Sequence, residues 1–102
     1  LFYAELKLVG THIGDPWHRE VVALLQKHEN FYLITSGWAP KYIPEEILKF
    51  MNSRGSTKVM WASDYPVLSV ERTVAEALAL PLKDEVRQRY MRDNALAVFN
   101  MA

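Results

Sequence analysis

A carboxylate and an imidazole each stand where an apolar segment of this chain ends. The run Lys58–Ser63 is followed directly by Asp64, and the β-branched and aliphatic run 6–11 is followed by His12. A third apolar run ends at Ser36. An imidazole and a carboxylate are groups that can exchange protons with water. A short buried strand that ends in Asp is typical of a site at the C-terminal edge of a parallel sheet, provided that the fold brings the ends of the runs together.

Strand and helix patterns alternate along the chain. β-branched, aliphatic and aromatic residues favour strands at 6–12, 31–36 and 58–63. Helical spacing of apolar residues predicts helices from Asp15-Pro16 to Asn30, from Pro44 to Gly55, from Ser69 to Leu80 and from Asp84 onwards. The fold class is therefore predicted as α/β, with three consecutive βα units, parallel strands and a C-terminal helix. Parallel strands bring their carboxyl ends to one edge, which is where α/β folds place their chemistry.

Several details of the helices follow from residue types. Ser69 is expected to cap the third helix, and Gly55 is expected to end the second helix in the left-handed conformation. Asp93-Asn94 is expected to interrupt the last helix, with Asn94 as a cap. The inward face of the third helix is predicted to consist of Val70, Val74, Ala77 and Leu78.

The length of the chain bears on how the sheet is completed. A (β/α)8 barrel takes about 250 residues, and this sequence has 102. Three strands bury little apolar surface, and both outer strands of a three-stranded sheet are expected to have open edges. Residues 1–102 are therefore expected to form a partial domain, the last part of a barrel, which pairs with the rest of the barrel or forms a homo-oligomer.

Composition narrows the class of protein. The 12 Lys and Arg residues balance the 12 Asp and Glu residues, so no charge excess favours nucleic acid or an anionic membrane as a partner. No apolar run approaches the roughly 20 residues of a membrane span, and no secretion signal is evident. We therefore expect a cytoplasmic protein. The absence of Cys excludes disulfides and thiolate metal sites.

Four motifs resemble the C-terminal part of the amidohydrolase-2 family over nearly the whole chain. They are L-K-L-V-G-T-H-I-G-D-P-W, H-E-N-F-Y-L-I-T-S, K-V-M-W-A-S-D-Y-P and D-N-A-L-A-V-F, in the family's order and spacing. Members of this family are metal-dependent TIM-barrel hydrolases and decarboxylases of the amidohydrolase superfamily. The resemblance therefore implies a divalent metal, with zinc as the first expectation. It also implies hydrolysis of a small carboxylate, lactone or amide, or decarboxylation of an aromatic or unsaturated acid.

The resemblance also implies roles for two residues. Asp64 matches the Asp at the end of the family's eighth strand, which is a metal ligand and a proton acceptor. His12 matches the His at the end of the sixth strand, which lies beside the metal and assists the bound water or contacts the substrate. Trp38 and Tyr65 are placed near the same edge and are candidates for binding the substrate.

The sequence departs from the family in its metal ligands. The H-x-H pair of the first strand and the His of the fifth strand have no counterpart here, and His18 and His28 lie on a helix. A metal site takes about three or four protein ligands, so these residues alone are expected to form an incomplete site. Two interpretations remain open at this point. The chain is part of an enzyme, or it is a non-catalytic barrel fragment that self-associates as a structural or interaction module.

Overall fold

Three short parallel strands form one sheet in the structure, a computed structural model that describes residues 6–12 and 17–100. The strands are β1 (Leu8–Gly10), β2 (Phe31–Ile34) and β3 (Val59–Met60), in the order β1-β2-β3. Both pairings are parallel. The three predicted strands and their direction are therefore confirmed, although each strand is shorter than the apolar run that predicted it.

Helices follow each strand, as the alternating pattern predicted. They are α1 (His18–Lys27), α2 (Glu45–Met51), α3 (Val70–Leu78), α4 (Asp84–Gln88) and α5 (Asn94–Val98), with a short 3-10 turn at Pro40–Tyr42. The predicted helix start at Asp15-Pro16 lies outside the described residues. Of the helices in the described ranges, none combines the length and the apolar character that a membrane span requires.

The core lies between one face of the sheet and the helices. Leu33 of β2 pairs with Val59 of β3, so the two side chains lie on the same face, and both are buried. Ile47 of α2 and Ala77 of α3 pack in the same cluster. Burial of this apolar surface is the main favourable term that holds the helices on the sheet.

The buried face of α3 differs from the predicted one. Ser69 does cap the helix, since its hydroxyl accepts a hydrogen bond from the Arg72 amide at 3.1 Å. Val70 and Leu78, however, are 46% and 53% exposed, while Thr73 is completely buried. The prediction that Val70 and Leu78 face inward is therefore wrong. Thr73 can be buried because its hydroxyl donates to the Ser69 carbonyl within the same helix.

Gly55 does not adopt the left-handed conformation that was predicted for it. Among the described glycines, a positive φ is found at Gly37. A Cβ atom on Gly55 would lie 2.2 Å from Cε2 of Phe50. The absence of a side chain at this position therefore provides space for the Phe50 ring and serves no special backbone angle.

Residues 84–98 form one continuous helical segment, which we call the C-terminal helix. A wider π turn at Arg89–Asp93 joins α4 to α5 without a break. The predicted interruption at Asp93-Asn94 is therefore wrong, and Asn94 is not a cap. Its buried side-chain amide instead donates hydrogen bonds to the carbonyls of Ser56 and Val59, both at 2.9 Å.

The C-terminal helix contacts the outer edge of β3. On its inner edge, β3 pairs with β2 through the carbonyls of Lys58 and Met60. On its outer edge, the Val59 carbonyl accepts from Asn94, and the Trp61 amide donates to the Tyr90 carbonyl at 3.0 Å. Helical residues therefore occupy two hydrogen-bonding groups of this edge, but within the described residues no strand pairs with it, so the sheet is open here as predicted. Across residues 6–12 and 17–100, no strand pairs with the outer edge of β1 either.

Tyr90 anchors the C-terminal helix to β2. Its phenol oxygen lies 2.5 Å from the Thr35 hydroxyl, and both side chains are buried. Burial raises the pKa of Tyr90 to about 12. The folded protein therefore keeps this phenol neutral at pH values where the unfolded chain ionises it.

Replacing Tyr90 by Phe should reverse the order of stability at high pH. At pH 7 the variant should lose about 1 kcal/mol of unfolding free energy with the hydrogen bond to Thr35. Between about pH 10 and 12 the unfolding free energy of the wild type should fall by about 2 kcal/mol, because the phenol of Tyr90 ionises in the unfolded chain before it does in the folded protein. The variant lacks this phenol and should not show the fall. Urea unfolding at pH 7, 10 and 11.5 measures both effects. Tyr65→Phe, at an exposed tyrosine, is the control, and parallel pH profiles for Tyr90→Phe and wild type would contradict the assignment.

Candidate active site

Each strand is followed by a residue with a positive φ angle. The values are 54° at His12, 79° at Gly37 and 60° at Asp64. For a residue other than Gly, this conformation is uncommon and costs about 1–3 kcal/mol, so it persists only where the surrounding structure holds it. Such residues cluster at functional sites. Two of them at one edge of a three-stranded sheet mark this edge as the first candidate for a site.

His12 and Asp64 face each other across the carboxyl ends of the strands. Nε2 of His12 lies 3.7 Å from Oδ2 of Asp64, and the two side chains are 54% and 40% exposed. They follow the outer strands β1 and β3, with β2 between them. The distance is longer than a direct hydrogen bond, and it is short enough for both atoms to contact one water molecule or ion.

The backbone carbonyl and the carboxylate of Asp64 have different partners. The carbonyl accepts a hydrogen bond from the Val67 amide at 2.9 Å, which closes a turn that contains a cis peptide bond between Tyr65 and Pro66. The carboxylate faces His12. Asp64 therefore does begin a turn, as Asp often does, but its carboxylate remains accessible for chemistry.

The two aromatic candidates differ in exposure. Tyr65 directly follows Asp64 and is 71% exposed. Trp38 lies in the loop after β2 and is partly buried against the hydrophobic core. Tyr65 thus offers an open ring beside the carboxylate, whereas Trp38 is fixed on one side by packing.

The His12–Asp64 pair matches part of a metal site. Bonds from zinc to imidazole nitrogen or carboxylate oxygen are about 2.0–2.2 Å, so two donors 3.7 Å apart can reach one ion. Catalytic zinc sites have about three protein ligands. The described ranges contain no cluster of three or more His, Asp or Glu side chains that could hold a metal. The residues present therefore fit one side of a metal site and do not complete it.

A cavity of about 470 Å³ lies elsewhere, at the amino ends of the strands. Its lining includes Glu29 and Lys58, which precede β2 and β3. The Lys58 ammonium donates to the carbonyls of His28 and Glu29, both at 2.9 Å, and lies 4.7 Å from the centre of the Tyr32 ring. These hydrogen bonds from the Lys58 ammonium therefore stabilise the turn before β2. The carboxyl edge, where the imidazole and the carboxylate lie 3.7 Å apart, is therefore kept as the candidate active site.

A parallel α/β sheet with a polar pair at its carboxyl edge is the arrangement found in one part of a TIM barrel. A sequence model described as amidohydrolase matches residues 3–101, and the chain therefore belongs to the amidohydrolase family. The resemblance seen in the four motifs is thus confirmed. None of the curated proteins matches the chain in sequence.

Solved structures confirm the fold class. An uncharacterized TIM-barrel protein from Bordetella bronchiseptica superposes with a TM-score of 0.89 at 20% identity, covering 98% of this chain and 36% of that one. 5-Carboxyvanillate decarboxylase from Sphingomonas paucimobilis gives 0.70 at 22% identity, covering 95% and 34%. A dihydroxybenzoic acid decarboxylase from Polaromonas, with bound manganese and the inhibitor 2-nitroresorcinol, gives 0.75 at 19%, covering 98% and 35%. The chain spans about a third of the length of each of these proteins.

Gly37 is the site residue that sequence reasoning missed. Its φ of 79° places it in the left-handed region, at the end of the middle strand and between the two polar residues. The available signal in the sequence was a glycine directly after Ser36, where an apolar run ends. A glycine at a strand end often marks a turn or a close approach of another group.

Proposed function

We propose that this chain supplies the C-terminal part of the catalytic face of a metal-dependent hydrolase or decarboxylase. Residues 1–102 would be the last three βα units of its barrel. The observation that carries the proposal is the approach of His12 and Asp64 to 3.7 Å at the carboxyl edge of the sheet. Membership of the amidohydrolase family supports it.

The proposed roles follow from the two side chains. Asp64 supplies one carboxylate ligand to a divalent ion and accepts a proton at Oδ2. His12 orients a water molecule or a substrate oxygen through Nε2, the nitrogen that faces Asp64. The ion, zinc or the manganese seen in the Polaromonas enzyme, would polarise a carbonyl and lower the pKa of bound water. Its remaining ligands would come from residues other than those described here.

The proposed substrate is a small carboxylic acid, and an aromatic acid is the first candidate. Two of the solved structures with this fold are named as decarboxylases of aromatic acids. The exposed ring of Tyr65 beside Asp64 offers a surface on which an aromatic substrate can stack. In decarboxylation the bond to the carboxyl carbon breaks, CO2 leaves, and the ring carbon takes a proton that His12 or Asp64 carries. In hydrolysis of a lactone or amide, Asp64 instead receives the proton of the attacking water.

The alternative was a fragment without activity that self-associates along open strand edges. Two hydrogen bonds from the C-terminal helix occupy part of the outer edge of β3, which leaves less of that edge available for self-association. Neither the family match nor the solved structures support the alternative.

The mass of the protein in its source cell tests the partial-domain proposal. We expect about 30 kDa or more, the size of a whole barrel. A mass equal to the 11.8 kDa of this sequence would contradict it. The other metal ligands would then have to come from a second chain.

Metal removal tests the activity. Treatment of the intact protein with a chelator should abolish CO2 release from dihydroxybenzoic acids, and zinc or manganese should restore it, because the proposed reaction needs the ion to polarise the substrate. Metal content measured on the same samples is the control. Undiminished turnover in metal-free protein would contradict the proposed function.

A further inference from the structure

Gly37 lies directly against the imidazole of His12. A Cβ atom on Gly37 would lie 2.2 Å from Nδ1 and 2.5 Å from Cε1 of that ring. Cβ atoms essentially never come within 3.0 Å of a heavy atom outside their own residue and its two chain neighbours. The imidazole therefore occupies the space that any side chain at position 37 would need.

This contact determines which nitrogen of His12 is available. With the Nδ1 and Cε1 edge against Gly37, Nε2 is the atom that faces Asp64, at 3.7 Å. The His12 side chain is 54% exposed, so solvent reaches part of the ring that Gly37 does not cover. The backbone of Gly37 is thus the surface on which the ring rests between β1 and β3.

We propose that Gly37 is a positioning residue, whose bare backbone seats the His12 imidazole with Nε2 directed at Asp64. The inference rests on the proposed function for the role of His12, but the contact itself does not. Two properties make Gly the suitable residue. The φ of 79° strains residues with a Cβ atom, and the ring leaves no room for one. Asn tolerates the angle better than Ala but brings the same Cβ atom.

A double-mutant cycle separates strain from displacement of the ring. Gly37→Ala is made in the wild type and in His12→Ala, and thermal unfolding is measured for all four proteins. Backbone strain at position 37 should lower the unfolding free energy equally in both backgrounds. The steric clash between the new Cβ atom and the imidazole should lower it only in the background that contains His12. In the intact protein, we expect an additional fall in Tm of about 2–4 °C in the wild-type background. Equal falls in the two backgrounds, together with unchanged NMR signals of the His12 ring, would overturn the proposal.

Two further variants make the test independent of overall stability. Gly55→Ala is the matched control, since its Cβ atom would lie equally close, 2.2 Å, to the Phe50 ring at the other end of the sheet. Gly37→Asn is used if Gly37→Ala does not fold. NMR signals of the His12 ring should shift in the Gly37 variants and remain in place in Gly55→Ala. Unchanged ring signals in folded Gly37 variants would overturn the proposal.

Turnover then links the contact to the reaction. Gly37→Ala should lower kcat about 100-fold, the scale expected for a misplacement of about 1 Å, and should cause no further loss in His12→Ala. Gly55→Ala should retain kcat in the fraction that is folded. If neither the wild type nor any variant turns over an acid, the proposed function fails. The double-mutant cycle and the NMR shifts would still test whether Gly37 positions the His12 ring.

Discussion

Replacing Asp64 by Asn should lower turnover about 10²–10⁴-fold, the range measured for loss of a positioned proton acceptor. The substitution removes the negative charge that would bind the ion and the oxygen that would accept the proton. It also leaves the shape of the side chain nearly unchanged. Steady-state kinetics on the intact protein, with metal content measured in parallel, gives the result.

Asn is preferred to Ala at this position because of the backbone. Asp64 has a φ of 60°, and Asn accepts the left-handed conformation readily whereas Ala does not. Asp64→Asn should therefore keep the Tm of the wild type, so that a loss of activity reports chemistry. Asp64→Ala should lose both activity and about 1 kcal/mol of unfolding free energy.

Asp84→Asn is the matched control for this prediction. Asp84 is a fully exposed carboxylate in the first turn of α4, where it pairs with Arg87 at 2.9 Å. It lies outside the candidate site, so kcat and metal content should stay at wild-type values. Full turnover in Asp64→Asn, or equal losses in the two variants, would contradict the assignment of Asp64.

The meeting of His12 and Asp64 could be predicted because parallel strands have a simple geometry. Alternation of strands and helices predicted the parallel direction, and direction alone brings the ends of β1 and β3 to one edge. The sheet order then places them on either side of β2. The roles of His12 and Asp64 rest on the family resemblance and remain proposals, whereas the distance between them comes from the structure.

The contact between Gly37 and His12 could not be predicted from the neighbours of Gly37 in sequence. The significance of Gly37 depends on a ring that lies 25 positions earlier, His12, and on a φ angle that is set by the whole strand end. A glycine after a strand fits many turns, so the residue type alone does not distinguish between them. Only the three-dimensional contact shows that the missing side chain makes room for the imidazole.

The helices were misread for a different reason: the apolar pattern left Thr73 out of the inward face of α3, and Asn94 was predicted to be a cap. Thr73 is buried because its hydroxyl bonds within α3, and Asn94 is buried because its amide bonds to another segment. Both satisfy their polar groups inside the protein, which removes the cost of burial. A pattern of apolar residues cannot show such partners, since they are contributed by the tertiary structure.

Replacing Asn94 by Ala should cost about 2–4 kcal/mol of unfolding free energy. The side chain is only 5% exposed, and its amide donates to the carbonyls of Ser56 and Val59. The change leaves the buried Val59 carbonyl without this donor, which costs about 1–3 kcal/mol, and removes the part-buried bond to Ser56, which contributes about 0.5–1.5 kcal/mol. Asn94→Leu keeps the volume and should lose a similar amount, which would assign the effect to hydrogen bonds and not to a cavity. Urea unfolding measures all three proteins.

Asn52→Ala is the matched control, because it also removes two hydrogen bonds that join separate segments. Asn52 donates to the Pro81 carbonyl at 2.9 Å and accepts from the Lys83 amide at 3.0 Å, but at a partly exposed position. Water can replace these bonds, so the loss should be about 0.5–1.5 kcal/mol. Asn94→Ala should also free the Val59 carbonyl on the outer edge of β3 and promote association, which sedimentation velocity detects. Equal losses at the two positions, with Asn94→Ala no more associated than wild type, would show that the helix does not protect this edge.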